Sequence, residues 1–192
     1  MFADRHGAVF FRRDQQKLFA ESDLPGNDFL SQVCVQWENS YKPFVSAGIR
    51  TSIIRTGLVL SREAGFFPRV AGLSRFGLQP IFGNGKQPFP WIHIADIVGI
   101  YRKALFDRGM DGVYNGVCGE DMTYGSWIRK LARHSTRLSL FFPLPEFALT
   151  LFLGERARML CRGQKVSAQK LRKTGFQFKF PETQKALEDL CL

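Results

Sequence analysis

Residues 83–98 place a glycine-rich turn, a short apolar run and the start of a helix directly one after another. The composition of residues 83–87 is typical of a hairpin-type turn. The apolar run 91–94 that follows predicts a buried strand. Apolar residues then recur at helical spacing, at Ile97, Ile100, Tyr101, Ala104 and Leu105. The pattern predicts a helix with Asp96 as its N-cap, whose carboxylate accepts backbone N–H groups of the first turn.

Two further apolar stretches predict buried strands. Residues 49–60 are rich in Ile, Leu and Val and carry few charges, which is typical of a strand in a parallel sheet. The sequence Arg55-Thr56-Gly57 interrupts this stretch. Residues 112–118 have the pattern of a shorter strand. Together with the helical patterns around them, these runs predict an α/β fold.

Helical patterns also precede and follow these strands. A helix is expected after the turn at residues 23–27, capped by Asn27 or Asp28. Its apolar positions recur at helical spacing and are interpreted as a core face: Phe29, Leu30, Val33, Cys34 and Trp37. Near the C-terminus, Gly175 would end a short helix. The alternation of Phe176, Phe178 and Phe180 then predicts a strand edge.

Composition limits the class of protein. With 192 residues, 45% of them hydrophobic and 14% aromatic, the chain can bury a sizeable core. It has no run of about 20 apolar residues and no signal-peptide pattern. We therefore expect no membrane association and a cytoplasmic location. The four cysteines form no C-x-x-C pair, and neither a zinc site nor a redox motif is indicated.

The formal charge of +10 is high, and residues 121–192 contribute +7 of it, with 13 Lys and Arg against 6 Asp and Glu. Such an excess can attract nucleic acid or other anions. No nucleic-acid-binding motif accompanies it, so a solvated helical face with a basic rim near a phosphate-bearing ligand is the favoured interpretation. Binding of an anion or a partner by this basic part is the alternative.

His93 is the residue that most invites a catalytic assignment. It lies inside an apolar strand pattern, and no G-x-S-x-G nucleophile motif is present. A buried, hydrogen-bonded structural histidine is therefore the favoured interpretation. Asp96 is likewise expected to act as a helix cap. The sequence predicts no catalytic residue and no metal ligand.

The sequence pattern G-x-G-x-Q-x-x-x-W-I-H-I-x-D at residues 83–96 resembles the pattern of one protein family. It is similar to the atypical branch of the extended short-chain dehydrogenases known as NAD-dependent epimerase-like or "epimerase family" proteins. Further ordered similarities run from about residue 21 to the C-terminus, at residues 27–30, 37–38, 55–57, 115–117, 154–155, 163–166 and 175–176.

The resemblance implies a fold, a cofactor and site residues. It implies a partial Rossmann-like parallel sheet in residues 1–118, with an inserted substrate-lobe segment at about 61–94, and a smaller C-terminal α+β lobe at 119–192. The implied cofactor is NADP or NAD, with its nicotinamide end near five consecutive residues: Arg55, Thr56, Gly57, Leu58 and Val59. The implied substrate cleft lies near Gln87, Trp91 and His93. Pairing of Arg55 with a nearby carboxylate, with Gly57 in a bulge, is the alternative.

The sequence also departs from the superfamily. Leu30 and Cys34 stand where a Tyr-x-x-x-Lys dyad is expected, and Phe10-Phe11-Arg12 stand where the family usually has Tyr-Tyr-Gly. No G-x-G-x-x-G turn is present, so the chain looks like a member that has lost, or was recorded without, the first strands of its sheet.

These departures predict a truncated or degenerate member of the family that is inactive alone and does not bind the cofactor tightly. The alternative is a non-catalytic pseudoenzyme, or a module that binds an anion or a partner through the basic C-terminal lobe. A small-molecule substrate of unknown identity and self-association through an exposed sheet edge are the expected partners.

Overall fold

The computed structural model describes residues 2–4, 11, 16–134, 138–153, 160–161 and 163–191. Within these ranges the strands are β1 Phe2–Asp4, β2 Leu18–Phe19, β3 Ser52–Thr56, β4 Leu58–Leu60, β5 Leu78–Phe82, β6 Trp91–His93, β7 Gly112–Gly116, β8 Leu140–Leu144 and β9 Lys165–Val166. The helices are α1 Phe29–Asn39, α2 Lys42–Ser46, α3 Phe66–Arg75, α4 Ile94–Phe106, α5 Tyr124–Ala132, α6 Glu146–Leu153, α7 Gln169–Lys173 and α8 Thr183–Cys191.

Every named pair of strands is parallel, which confirms the predicted α/β fold. The largest sheet has the order β1-β3-β7, and the pairs β2-β9, β4-β6 and β5-β8 flank it. The stretch 49–60 forms two strands that separate at Gly57. A Cβ at this glycine would lie 2.6 Å from the Pro90 oxygen and 2.7 Å from Val117 Cγ1. Only glycine therefore lets the chain pass from the central sheet to the β4-β6 pair.

Helices α1 and α4 cover opposite faces of the central sheet. Arg55 contacts Glu38 of α1, whereas the next residue, Thr56, contacts Tyr101 of α4. Successive side chains of a strand point to opposite faces, so the two helices lie on different sides. The central sheet is thus covered on both faces, as expected for a parallel sheet.

Two large apolar clusters stabilise this arrangement. One is built around three aromatic side chains that are almost wholly buried, Trp91, Tyr124 and Trp127, and it includes Leu187 of α8. The other joins the central sheet, α4 and α7, through Ile54, Ile92, Ile97, Ile100 and Leu171. The C-terminal helices thus share apolar cores with the parallel strands.

The open edge of β7 is capped by side chains. Glu21 accepts a hydrogen bond from the Asn115 backbone N–H at 2.9 Å, and Lys170 donates to the Val113 carbonyl oxygen at 2.7 Å. Such contacts satisfy backbone groups that an edge strand would otherwise offer to another chain. On the other edge, β1 has no second strand partner among the described residues.

The structure confirms one expectation about a single element and corrects two others. Asp28 caps α1, as predicted, and its Oδ1 accepts from the Ser31 N–H at 3.0 Å. The apolar stripe of α1 is only partly core, because Phe29 is 68% exposed and Trp37 is 50% exposed. The turn at 83–87 is not a hairpin, since its flanking strands β5 and β6 belong to different sheets.

Other expectations stay predictions. Among the described residues, no helix is long and apolar enough to cross a membrane. The cytoplasmic location and the division of the chain at residue 118 remain predictions. The predicted Phe10 and Arg12 positions lie outside the described residues.

Candidate functional site

In parallel α/β sheets, ligands bind beyond the carboxyl ends of the strands. Residues 55–59, which were predicted to lie near a nicotinamide, run from the carboxyl end of β3 into β4. Strand β6 leads directly into α4, which begins at Ile94, and β7 ends at Gly116 and is followed by a loop. The candidate site is therefore the edge formed by these three chain segments.

The Arg55 guanidinium is held inside the protein. Its Nε and Nη2 atoms donate to the two carboxylate oxygens of Glu38 at 2.6 and 2.9 Å, and Nη1 donates to the Glu21 carbonyl oxygen at 3.1 Å. The guanidinium also lies over the Phe11 ring, 5.3 Å from its centroid. A bidentate pair of this kind orders both side chains and uses most of the guanidinium donors. Arg55 is therefore paired with a nearby carboxylate, that of Glu38, as in the alternative interpretation of the sequence.

The next polar groups are also bonded internally. Thr56 Oγ1 lies 2.9 Å from the Tyr101 hydroxyl oxygen. The backbone N–H of Gly57 donates to the Gly116 carbonyl at 3.0 Å, and that of Leu58 donates to the Pro90 carbonyl at 2.8 Å. The Leu58 and Val59 side chains are half-buried. Contact of these residues with a cofactor stays a prediction.

Gln87 stabilises the turn that precedes β6. Its Nε2 donates to the carbonyl oxygens of Phe82 and Leu160 at 3.0 and 2.9 Å. Its backbone carbonyl accepts from the Tyr124 N–H at 3.0 Å. The Gln87 Oε1 atom is buried and has no hydrogen-bond partner among the described residues. The side chain thus joins the turn to the segment around residue 160.

His93 is buried and caps α4. Its Nδ1 accepts from the Ala95 N–H at 3.1 Å, so the neutral ring carries its proton on Nε2. Nε2 lies 3.4 Å from Asp189 Oδ2, and the ring packs against Phe180 with centroids 3.9 Å apart. Burial lowers the pKa of His93, and the nearby Asp189 carboxylate opposes this. The prediction that His93 is buried and hydrogen-bonded is confirmed, whereas the expectation that Asp96 caps this helix was wrong.

Asp96 has a long-range role instead. It lies in the first turn of α4 and is 2% exposed. Its two carboxylate oxygens accept from the backbone N–H groups of Lys179 and Phe180 at 2.7 and 2.9 Å. The partners are more than 80 residues away in sequence, so no local pattern could have indicated them. Asp96 therefore attaches the C-terminal segment to the first turn of α4, which directly follows β6.

Glu120 makes a similar attachment after β7. Its Oε2 accepts from the Thr183 backbone N–H at 2.7 Å, at the start of α8, and Lys130 donates to its Oε1 at 3.1 Å. Arg172 of α7 donates to the Cys118 carbonyl oxygen at 3.0 Å. The C-terminal segment is thus bonded to two of the three chain segments at the candidate edge.

The structure separates the remaining predicted residues. Trp91 is completely buried in an apolar cluster, and it does not form a common surface with Gln87 and His93. At the positions of the superfamily dyad, Cys34 is buried in another apolar cluster with Phe11 and Val117. Within the described ranges, no group of three His, Cys, Asp or Glu side chains could hold a metal ion.

Residues 144–190 match the model of a "domain of unknown function", DUF1731. The epimerase family protein SDR39U1 of Mus musculus is 34% identical over 185 residues, which are 96% of this chain and 63% of that protein. An epimerase family protein of Staphylococcus saprophyticus is 36% identical over 183 residues, covering 94% of this chain and 61% of its own length. The chain therefore spans about three fifths of the length of these relatives.

Solved structures agree with these relatives. The crystal structure of the human epimerase family protein SDR39U1 with NADPH superposes with a TM-score of 0.89 at 31% identity, covering 98% of this chain and 64% of that one. A nucleoside-diphosphate sugar epimerase from Corynebacterium glutamicum superposes with a TM-score of 0.77 at 25% identity, covering 98% of this chain and 36% of that one. These epimerase family proteins are thus homologues of this chain, which shares the fold of their solved structures.

Proposed function

We propose that these 192 residues form the nicotinamide-side and substrate-side part of an NAD(P)-dependent, epimerase-like protein, and that they catalyse no hydride transfer alone. The observation that carries the proposal is the burial of Cys34 in an apolar cluster at the position of the dyad lysine. The human relative that superposes on this chain is described with NADPH. NADPH or NADH is accordingly the cofactor class proposed for the complete architecture.

The polar groups at the proposed cofactor site support weak binding. Arg55, Thr56 and the N–H groups of Gly57 and Leu58 are bonded within the protein. What remains there for a nicotinamide is half-buried apolar surface from Leu58 and Val59. The glycine-rich pyrophosphate turn is absent from these residues, and each charge-assisted hydrogen bond it would make is worth roughly 1.5–3 kcal/mol.

Proton transfer also lacks its usual group. A general acid or base must have a titratable atom within hydrogen-bond reach of the reacting group, and Leu30 offers none. We propose that Gln87, Trp91 and His93 shape the substrate side from within the protein. Gln87 would do so through the turn, Trp91 through the core and His93 through its cap of α4.

Calorimetry with NADPH and NADH tests this proposal. The human SDR39U1 protein is the positive control, and the purified chain is titrated under the same conditions. We expect no saturable heat from this chain at ligand concentrations up to about 1 mM, where binding would be worth only about 4 kcal/mol. A dissociation constant in the low micromolar range would show that the cofactor site lies elsewhere in these residues.

A second function, binding of an anion or partner by the basic C-terminal part, has its own support. Lys173 and Lys179 of this part are exposed, and neither has an ion-pair partner among the described residues. Titration with nucleotides, short DNA and acidic peptides at low and high salt tests it. Absence of all binding at both salt concentrations would exclude this function.

Self-association through the β1 edge is a further proposal about partners. Strand β1 pairs with β3 on one side, and the described chain supplies no strand for the other. Light scattering over a range of concentrations should show growth of dimers or larger species. A monomer at every concentration would contradict the proposal.

A further inference from the structure

Residues 176–178 form an unpaired edge next to α4. Gly175 has φ +76° and ends α7, and the chain that follows alternates between half-buried Phe176 and Phe178 and exposed Gln177. This alternation is typical of an extended chain. The segment belongs to no strand, and its backbone N–H and C=O groups make no backbone hydrogen bond within the described part of the chain.

A groove of about 680 Å³ lies between this edge and α4. Its floor includes Ala95 and Gly99, and the exposed Phe106 lies along its wall. A Cβ at Gly99 would lie 3.3 Å from Phe176 Cζ, so glycine lets the Phe176 ring pack closely against α4 at one side of the groove. The groove thus combines a shallow apolar floor with free backbone groups along one side.

The charged groups that face the groove leave it positive. Asp96 is committed to the backbone of the C-terminal segment, and Lys103 is paired with Asp107 at 2.7 Å. Arg102 on α4 and Lys179 on the facing segment have no ion-pair partner among the residues described. Two unpaired cations therefore lie on opposite walls of an apolar floor.

We propose that this groove binds an extended acidic peptide segment of a partner protein. Such a peptide adds as a strand, because its backbone pairs with residues 176–178. Its alternate side chains then point in two directions, so that apolar ones contact Phe106 and the floor, and carboxylates reach Arg102 and Lys179. A nucleic acid would meet the cations, but its backbone has no N–H groups to donate to the free carbonyl oxygens of this edge.

This inference rests on the second proposed function, to which it gives a location and a partner class. It is independent of the cofactor proposal, since it uses none of residues 55–59. Binding of nucleotides or DNA without binding of the acidic peptide would overturn the groove assignment and leave the second function standing. Absence of binding to every probe would overturn both.

Fluorescence anisotropy tests the inference with a labelled decapeptide of alternating Glu and Leu. The groove variant carries Arg102→Glu and Lys179→Glu, and the matched control carries Lys42→Glu and Arg69→Glu, two exposed cations on α2 and α3 with the same change of charge. At about 50 mM salt, we expect the groove variant to bind about tenfold more weakly and the control to change by less than about twofold. Equal weakening in both would show that only net charge matters and would overturn the inference.

Three further measurements isolate the edge. An N-methylated version of the decapeptide, which lacks alternate N–H donors, should lose most of its affinity, whereas unchanged affinity would exclude strand addition. The variant Phe106→Ala, at an 81% exposed position, should weaken binding without loss of folding, which circular dichroism checks. Binding of oligothymidine as tight as that of the acidic decapeptide would overturn the assignment to a peptide.

Discussion

Replacement of Asp96 should detach the C-terminal segment from the rest of the fold. The side chain is 2% exposed, and its two oxygens accept backbone N–H groups at 2.7 and 2.9 Å. In Asp96→Ala both N–H groups lose a charged acceptor, and such bonds are worth roughly 1.5–3 kcal/mol each. We therefore expect the free energy of unfolding to fall by about 3–5 kcal/mol, at the upper end of single substitutions.

A conservative variant refines this prediction. Asp96→Asn keeps one carbonyl oxygen, so one of the two N–H groups retains an acceptor while the other faces an amide NH₂ group. The expected loss is about 1–3 kcal/mol, between the wild type and Asp96→Ala. Urea denaturation measures both losses, and hydrogen exchange at the amides of Lys179 and Phe180 reports where protection is lost.

The matched control is Asp121→Ala. Asp121 is 69% exposed and pairs with Lys165 at 2.7 Å, so its loss should change stability by less than about 1 kcal/mol. The reasoning would be refuted if Asp96→Ala cost no more than Asp121→Ala. It would also be refuted if the amides of Lys179 and Phe180 kept their protection in Asp96→Ala.

Three other predictions concern buried groups. Glu38→Gln should lower the free energy of unfolding by about 3–5 kcal/mol in urea, because it leaves the buried Arg55 guanidinium without its charged partner; a loss below about 1 kcal/mol would contradict this. Burial lowers the folded-state pKa of His93, so the free energy of unfolding should be highest above the unfolded pKa of about 6.5 and should decrease as the pH falls from there toward the folded pKa. In His93→Gln this decrease should be smaller, and an unchanged pH profile would contradict the assignment. Gly163→Ala places a Cβ against the Pro88 carbonyl oxygen and should lower the melting temperature by several degrees, corresponding to about 1–3 kcal/mol, whereas an unchanged melting temperature would refute the packing argument.

The sequence predicted elements whose causes are local. Apolar runs placed β3, β4 and β7, because a buried strand needs apolar residues regardless of its partners. Asp28 was among the predicted caps of α1 and Thr123 also caps a helix, since each side-chain oxygen accepts an N–H group three residues later. Interactions between residues only a few positions apart can be predicted from a short stretch of sequence.

Long-range packing determines the features that the sequence did not predict. Asp96 has the composition signal of a cap, yet its carboxylate is used by Lys179 and Phe180, and His93 takes over the cap. The stripe of α1 has helical spacing, but Phe29 is 68% exposed and Trp37 is 50% exposed. Spacing states which side chains share a face, whereas the neighbours that bury the face come from distant parts of the chain.

The C-terminal segment links the candidate edge to the groove. Asp96, in the first turn of α4, accepts from the backbone at residues 179–180, which directly follow the unpaired segment 176–178. Glu120 bonds the loop after β7 to Thr183, three residues farther along. A peptide that pairs with residues 176–178 would therefore order a segment already bonded to two chain segments of the candidate edge. If a complete epimerase-like architecture binds its ligands at that edge, occupation of the groove and of the edge should be thermodynamically coupled, and each should change the affinity for the other by the same factor.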